Sequence, residues 1–252
     1  MLKTAILAAG LVLAASHADA AQLKLLIGGA MQEPFKEVGA AYAKTSGNTL
    51  DFTVDTTGAL QNRLRSGAPA DLILVSAPGM DALQKENRIV PGTRIDLARA
   101  LIGVSVKAGA AAPDLYSEEA FKKAVLAART ISYVNPTAGG TSGTYMDGLF
   151  KKMGIADQLK SKIVWGYQGS QVAEAVAKGD AEIGITFISE MAPNKGVHVL
   201  GPLPESIQSA TNYAAAIPVG AANADAARAF LQMMTARQGR EAIVKANLTP
   251  LH

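Results

Sequence analysis

Apolar and polar positions alternate between two rhythms along this chain. Short apolar runs at Leu23–Gly29 (LKLLIGG), Thr49–Asp55 (TLDFTVD) and Asp71–Ala77 (DLILVSA) read as strands. The last is continuous, as in a strand buried on both faces. Between them the spacing turns helical. Phe35, Val38 and Tyr42 stand at i, i+3, i+7 within Pro34–Ala43. Leu60 and Leu64 stand four apart in Gly58–Ser66, and Asp81–Asn87 suits another helix. The order β-α-β-α-β predicts a mainly parallel sheet with helices on its faces.

The pattern then restarts. Ile102–Lys107, Thr130–Asn135, Lys162–Trp165, Glu182–Ile188 and Val197–Leu200 are strand-like. Ser117–Ala127, Gly143–Met153 and Gln171–Lys178 are helical, the second carrying Met146, Leu149, Phe150 and Met153 on one face. A strand-like stretch at Asn212–Val219 and helices around Ala224–Thr235 and Gln238–Lys245 close the chain. No Pro/Gly/Ser-rich linker separates the two groups. This predicts an α/β protein of two lobes joined by crossing strands, with Ala100–Lys107 and Asn212–Gly220 as the crossings. The expected division is residues 22–101 plus 214–252 for lobe 1 and 102–213 for lobe 2.

Residues 1–21 have a different character. Lys3 is followed by an apolar run to Ala15 and by Ala18-Asp19-Ala20, the pattern of a cleaved signal peptide. The run is shorter than the roughly 20 residues of a membrane span. The expectation is export to the periplasm as a soluble chain that is not inserted in the membrane.

Composition adds mainly exclusions. The chain has 252 residues, 24 Lys+Arg, 21 Asp+Glu and no Cys. Disulfides, thiolate metal sites and cysteine nucleophiles are therefore excluded. The near-balanced, dispersed charge gives no reason to expect a nucleic-acid partner.

Candidate chemistry lies between strands and helices, because ligands of parallel α/β lobes sit beyond the carboxyl ends of strands. Four junctions look alike: Gly28-Gly29-Ala30-Met31, Asp55-Thr56-Thr57-Gly58, Gly139-Gly140-Thr141-Ser142-Gly143 and Gly169-Ser170. Each is small, and three carry hydroxyls expected at N-caps. A helix start offers free N–H donors and partial positive charge, glycine allows close backbone approach, and hydroxyls add neutral donors. Two starts from each lobe would form an anion site without Arg or Lys. Ordinary helix capping explains the same residues.

Other chemistry is poorly supported. Thr141-Ser142-Gly143 lacks the G-x-S-x-G arrangement of a nucleophile elbow. His198 and His252 belong to no local acid–base grouping. The Gly139–Gly143 stretch lacks the G-K-[ST] ending of a phosphate loop. Asp51 and Asp55 read as a solvated strand face rather than a cation site. Arg63 and Arg65 read as surface or paired cations, while Trp165 and Tyr167 suit either the cleft or the core. No catalytic residue, metal or cofactor is expected.

Longer motifs carry a family resemblance. The stretch from Gly58-Ala59-Leu60 through Ser66-Gly67-Ala68-Pro69-Ala70-Asp71-Leu72 to Ser76-Ala77 resembles the S-x-x-L…G-A-P-A-D-[LV]-F-[IV]-S-A signature of the molybdate-binding proteins of ABC importers. Asn135-Pro136…Ser142-Gly143-Thr144-Tyr145 and Val172–Phe187 resemble two further segments of that family. The resemblance implies a class II periplasmic binding protein fold, a monomer by family expectation, and delivery of a small anion to an ABC permease. The family's oxyanion donors match Ala30, Thr57, Ser142, Ser170 and Phe187. Backbone N–H groups near Ala30, Met31, Gly58 and Gly143 would assist, with Thr141 beside them.

Two matched positions depart from the family pattern. Ala30 stands where the family has Ser, and Phe187 where it has Tyr. Each change removes a hydroxyl donor, and a hydrogen bond to a charged group is worth about 1.5–3 kcal/mol. Compensation by Thr141, Thr144 or Tyr145 would preserve binding of molybdate or tungstate. Remodelling for a small organic carboxylate is the alternative, and an enzyme on this scaffold is a third reading.

Overall fold

The alternating rhythms fold into an α/β architecture, and the computed structural model describes residues 20–251. The expected signal peptide thus falls almost wholly outside the described residues. In lobe 1, β1 (Gln22–Gly28), β2 (Thr49–Asp55) and β3 (Leu72–Ser76) alternate with α1 (Gln32–Ser46), α2 (Thr57–Arg65) and α3 (Ala77–Lys85). The long β4 (Ile95–Lys107) leads to α4 (Glu118–Ala127), β5 (Ile131–Val134), α5 (Thr141–Lys152), the short α6 (Ala156–Leu159) and β6 (Ile163–Gly166). Then come α7 (Gly169–Lys178), β7 (Ile183–Phe187), the four-residue α8 (Ile188–Met191), β8 (Val197–Pro202) and β9 (Ala210–Ala216). Finally α9 (Ala224–Thr235), α10 (Arg237–Lys245) and β10 (Thr249–Pro250) return to lobe 1.

The strand order is β2-β1-β3-β9-β4-β7-β5-β6, with β8 and β10 also paired to β4. Within each half, β1 lies parallel to β2 and β3, and β5 lies parallel to β6 and β7. The antiparallel β4 links the halves. Its residues up to Leu101 pair with β9, and those from Ile102 pair with β7 and β8. β9 pairs with β4 from Ala210 onward, so the expected boundary at residues 213/214 falls inside a strand. Gln208 clasps the changeover: Ile102 N–H donates to its Oε1 at 3.2 Å, and its Nε2 donates to the Ile102 carbonyl at 2.8 Å.

Apolar periodicity explains the packing. The α1 stripe of Phe35, Val38 and Tyr42 is buried, and Phe35 and Tyr42 each meet the Phe230 edge of α9. Met146, Leu149 and Phe150 bury one face of α5, where Phe150 meets Tyr133 edge-on. Every residue of β3 is buried, as its continuous apolar run predicts. Asp71, the acidic residue of the G-A-P-A-D block, has a structural role here. Its carboxylate accepts from the N–H groups of Lys24 and Asn223, tying β1 to the entry of α9.

Trp165 does not belong to the core: it is 42% exposed, lies edge-on to Tyr133, and Tyr167 is also exposed. Arg65 forms a two-pronged surface pair with Glu86, and Arg63 approaches Asp55 at 3.7 Å. No helix among the described residues is long and apolar enough to cross a membrane.

Candidate functional site

The strand ends and helix starts of both lobes converge on one cleft, and in this structure the cleft is closed. Gly58 N–H, in the first turn of α2, donates to the Gly139 carbonyl ahead of α5 at 3.0 Å. Thr56 Oγ1 donates to the Ala138 carbonyl, and Gln168 Nε2 donates to the Val54 carbonyl at 3.4 Å. The Gly58–Gly139 approach leaves no room for a side chain, since a Cβ on Gly58 would stand 2.9 Å from Gly139 Cα.

Behind this contact lies a cavity of about 100 Å³. Thr57, Thr141, Ser142, Ser170 and Phe187 line it, as do Gly28, Gly29 and Gly140. Ala30 and Met31 do not line it: both are buried in the hydrophobic core, because the first junction enters α1 through a tight turn at Gly29–Met31. Gly58 and Gly143 are also off the wall. The Gly58 N–H is spent on Gly139, and Gly143 is pressed against the Val134 backbone.

The helix starts are built differently from the expected hydroxyl caps. Among the regular helices that open on the cleft, α1, α2, α5 and α7, only α2 has a hydroxyl side-chain cap, with Ala59 N–H donating to Thr56 Oγ1. The N-cap positions of α5 and α7 are Gly140 and Gln168, and neither side chain caps its helix. The hydroxyls of Thr57, Thr141, Ser142 and Ser170 therefore lie inside the first turns. Thr57 Oγ1 already accepts the Ser76 N–H at 3.1 Å. Of the compensating donors considered above, Tyr145 is engaged with the Ile207 carbonyl at 2.7 Å and Thr144 with the Gly140 carbonyl at 3.0 Å. Thr141 remains on the wall and reaches the Tyr213 phenol.

Sequence reasoning missed the cleft's most unusual group, Glu190 on α8. Ser142 and Thr186 share a hydroxyl–hydroxyl bond of 3.2 Å, and Thr186 Oγ1 donates to Glu190 Oε2 at 2.9 Å. The carboxyl lies against Gly29 and Gly169, where a Cβ on either glycine would collide with it. Glu190 thus stands at two of the four helix starts expected to hold an anion. Its side facing the cavity is partly open, while the rest is enclosed by protein. Burial pushes its pKa up to about 7, against the opposing pull of the Thr186 hydroxyl and the N–H groups of Phe187 and Gly169. Burial also raises the neighbouring Tyr213 phenol, and the Glu190 charge pushes it the same way.

No Lys, Arg or His lines the cavity among the described residues, whereas Glu33, Asp55 and Glu190 do. The donors along the wall are helix starts and neutral hydroxyls. No cluster of His, Asp and Glu able to hold a metal ion occurs among the described residues.

The profile of a family described as bacterial extracellular solute-binding protein matches residues 23–247. The chain belongs to this family. Within it, this solute-binding protein is 30% identical over 251 residues to an aconitate isomerase of a Pseudomonas species, spanning 96% of this chain and 94% of that protein. It is 26% identical over 210 residues to the molybdate-binding protein ModA of Azotobacter vinelandii, spanning 81% of each chain. The solved structure of the Azotobacter vinelandii periplasmic molybdate-binding protein superposes with a TM-score of 0.74 at 19% identity, covering 90% of this chain and 98% of that one. This solute-binding protein is therefore ModA-like, with the fold of periplasmic binding proteins.

Proposed function

We propose that this solute-binding protein captures a small organic carboxylate between its lobes and delivers it to an ABC permease from the periplasm. The position of Glu190 carries this reading. A tetrahedral oxyanion needs donors on all sides, yet an acidic side chain stands at the starts near Gly29 and Gly169. The starts of α2 and α5 remain, enough to receive one carboxylate group from one side. The Phe187 and Tyr213 rings, which also line the cavity, suit the uncharged part of an organic acid. Ala30 and Phe187 support the same direction, since each lacks the hydroxyl of the molybdate-binding pattern.

The cavity's volume of about 100 Å³ favours a short acid in this closed form. A larger acid would be held with the lobes less tightly closed. Titration calorimetry with malonate, maleate, trans-aconitate, molybdate and sulfate tests the reading. Binding of a carboxylate at least a hundredfold tighter than molybdate is expected, and the reverse order would restore the molybdate reading.

A second reading is favoured by one further observation. Glu190 titrates near neutrality beside Tyr213 in the cleft, the condition of a group that moves protons at physiological pH. The relatedness to an aconitate isomerase supports catalysis on a bound unsaturated acid. Proton NMR of trans-aconitate incubated with the protein in D₂O separates the readings. Isomer appearance or protein-dependent deuterium incorporation establishes an enzyme, and unchanged substrate leaves capture alone.

A further inference from the structure

We propose that Glu190 is a specificity-determining residue of the cleft, and that a bound anion and its carboxyl hold one proton between them. The inference rests on the proposed capture of an anion in this cleft and adds the protonation state in which capture occurs. Its basis is geometric. The carboxyl faces the cavity, and Thr186 Oγ1 donates to Oε2 from behind at 2.9 Å. With the N–H groups of Phe187 and Gly169 also drawn to the carboxyl, that bond orders the side chain, and a carboxyl's several lone pairs still leave it acceptor capacity. Next to it on α8, residue Ser189 lines the cavity, and its buried Oγ has no partner among the described residues. An unpaired buried hydroxyl is rare without a ligand or water to satisfy it.

No cation among the described residues offsets Glu190. Tyr213 on β9 faces it, and Glu33 at the head of α1 and Asp55 at the end of β2 share the cavity wall. Arg63 stands behind Asp55, and no charged group of β4, β7, β8 or α7 influences the titration of Glu190. An anion arriving beside an ionised carboxyl meets a like charge in an enclosed site. Two acids in that position share a proton, and the repulsion becomes a charge-assisted hydrogen bond. Glu190 then serves as a donor on a wall where Phe187 carries no hydroxyl, and it admits ligands that tolerate this shared proton.

Calorimetry of the intact protein in paired buffers of different ionisation enthalpy tests this, with trans-aconitate, malonate and molybdate as probes, all fully ionised at pH 8. Uptake of about one proton per bound anion is expected at pH 8, diminishing towards pH 6, with Kd weakening towards tenfold per pH unit above neutrality. Glu190→Gln keeps a donor and loses the titration, so its binding should be flat with pH and free of proton uptake. Absence of proton uptake by the unmodified protein at pH 8, or its persistence in folded E190Q, would overturn the proposal. If molybdate binds with proton uptake and neither trans-aconitate nor the shorter malonate binds, the carboxylate reading fails while the role of Glu190 stands. If no probe binds, both fall.

Discussion

At the scale of single residues, Glu190 ties stability to pH. Its folded pKa lies above the ordinary 4.5, at about 7, so the folded state binds more protons than the unfolded state between those values. The stability from this group is full below pH 4.5 and is lost as pH rises through 7. A shift of this size corresponds to at most about 3 kcal/mol, less where the carboxyl meets cavity water. Denaturant unfolding of the ligand-free protein at pH 5 and pH 8 should show this loss in the unmodified chain and a smaller one in E190Q. Equal loss in both would place the titration elsewhere.

Ser142 provides a second test at this scale. Its hydroxyl bonds Thr186 within the network that ends at Glu190, and its residue lines the cavity. Ser142→Ala should weaken anion binding about tenfold, a change of about 1.4 kcal/mol, within the usual worth of a hydrogen bond. Calorimetry checks this directly. Unchanged affinity would remove Ser142 from the ligand's surroundings.

At the scale of elements, closure depends on two backbones meeting. Gly58→Ala introduces a good helix former into α2, and its Cβ would press on Gly139 Cα. The expected variant melts no lower than the unmodified protein and binds its anion about ten- to a hundredfold more weakly, the scale of a 1–3 kcal/mol overpacking cost. Loss of melting temperature together with affinity would point to damage within lobe 1 instead.

Elements also explain what could be read from sequence. The limits of β2 and α9 match their apolar patterns residue for residue, because each presents a complete period to the core. Thr57, Thr141, Ser142 and Ser170 were legible as donors because small polar residues cluster between strand and helix. Glu190 was not. Its helix spans only Ile188–Met191, too short for a helical period, and its carboxyl meets Gly29 and Gly169 only through the tertiary fold. Phe187, where the molybdate-binding pattern has Tyr, was the sequence departure that falls on the cavity wall. The burial of Ala30 and Met31 was illegible for the same reason: the turn at Gly29–Met31 points them into the core.

At the scale of the whole molecule, the proposed capture has two lobes hinge near Leu101–Ile102 and Gln208 and close on an anion, with no cation in the wall among the described residues. Closure on a ligand is a shift in population, so ligand binding must appear as added stability. The most direct test is thermal unfolding of the protein at pH 6 against malonate, maleate, trans-aconitate, molybdate, tungstate, sulfate and phosphate. At a hundredfold excess over Kd, binding adds about 2.7 kcal/mol. For a chain of this size the midpoint rises by roughly 5–10 °C. The account predicts that rise with an organic carboxylate and none with molybdate or tungstate. A rise confined to molybdate and tungstate would contradict it and return the cleft to the ligand of its ModA relatives.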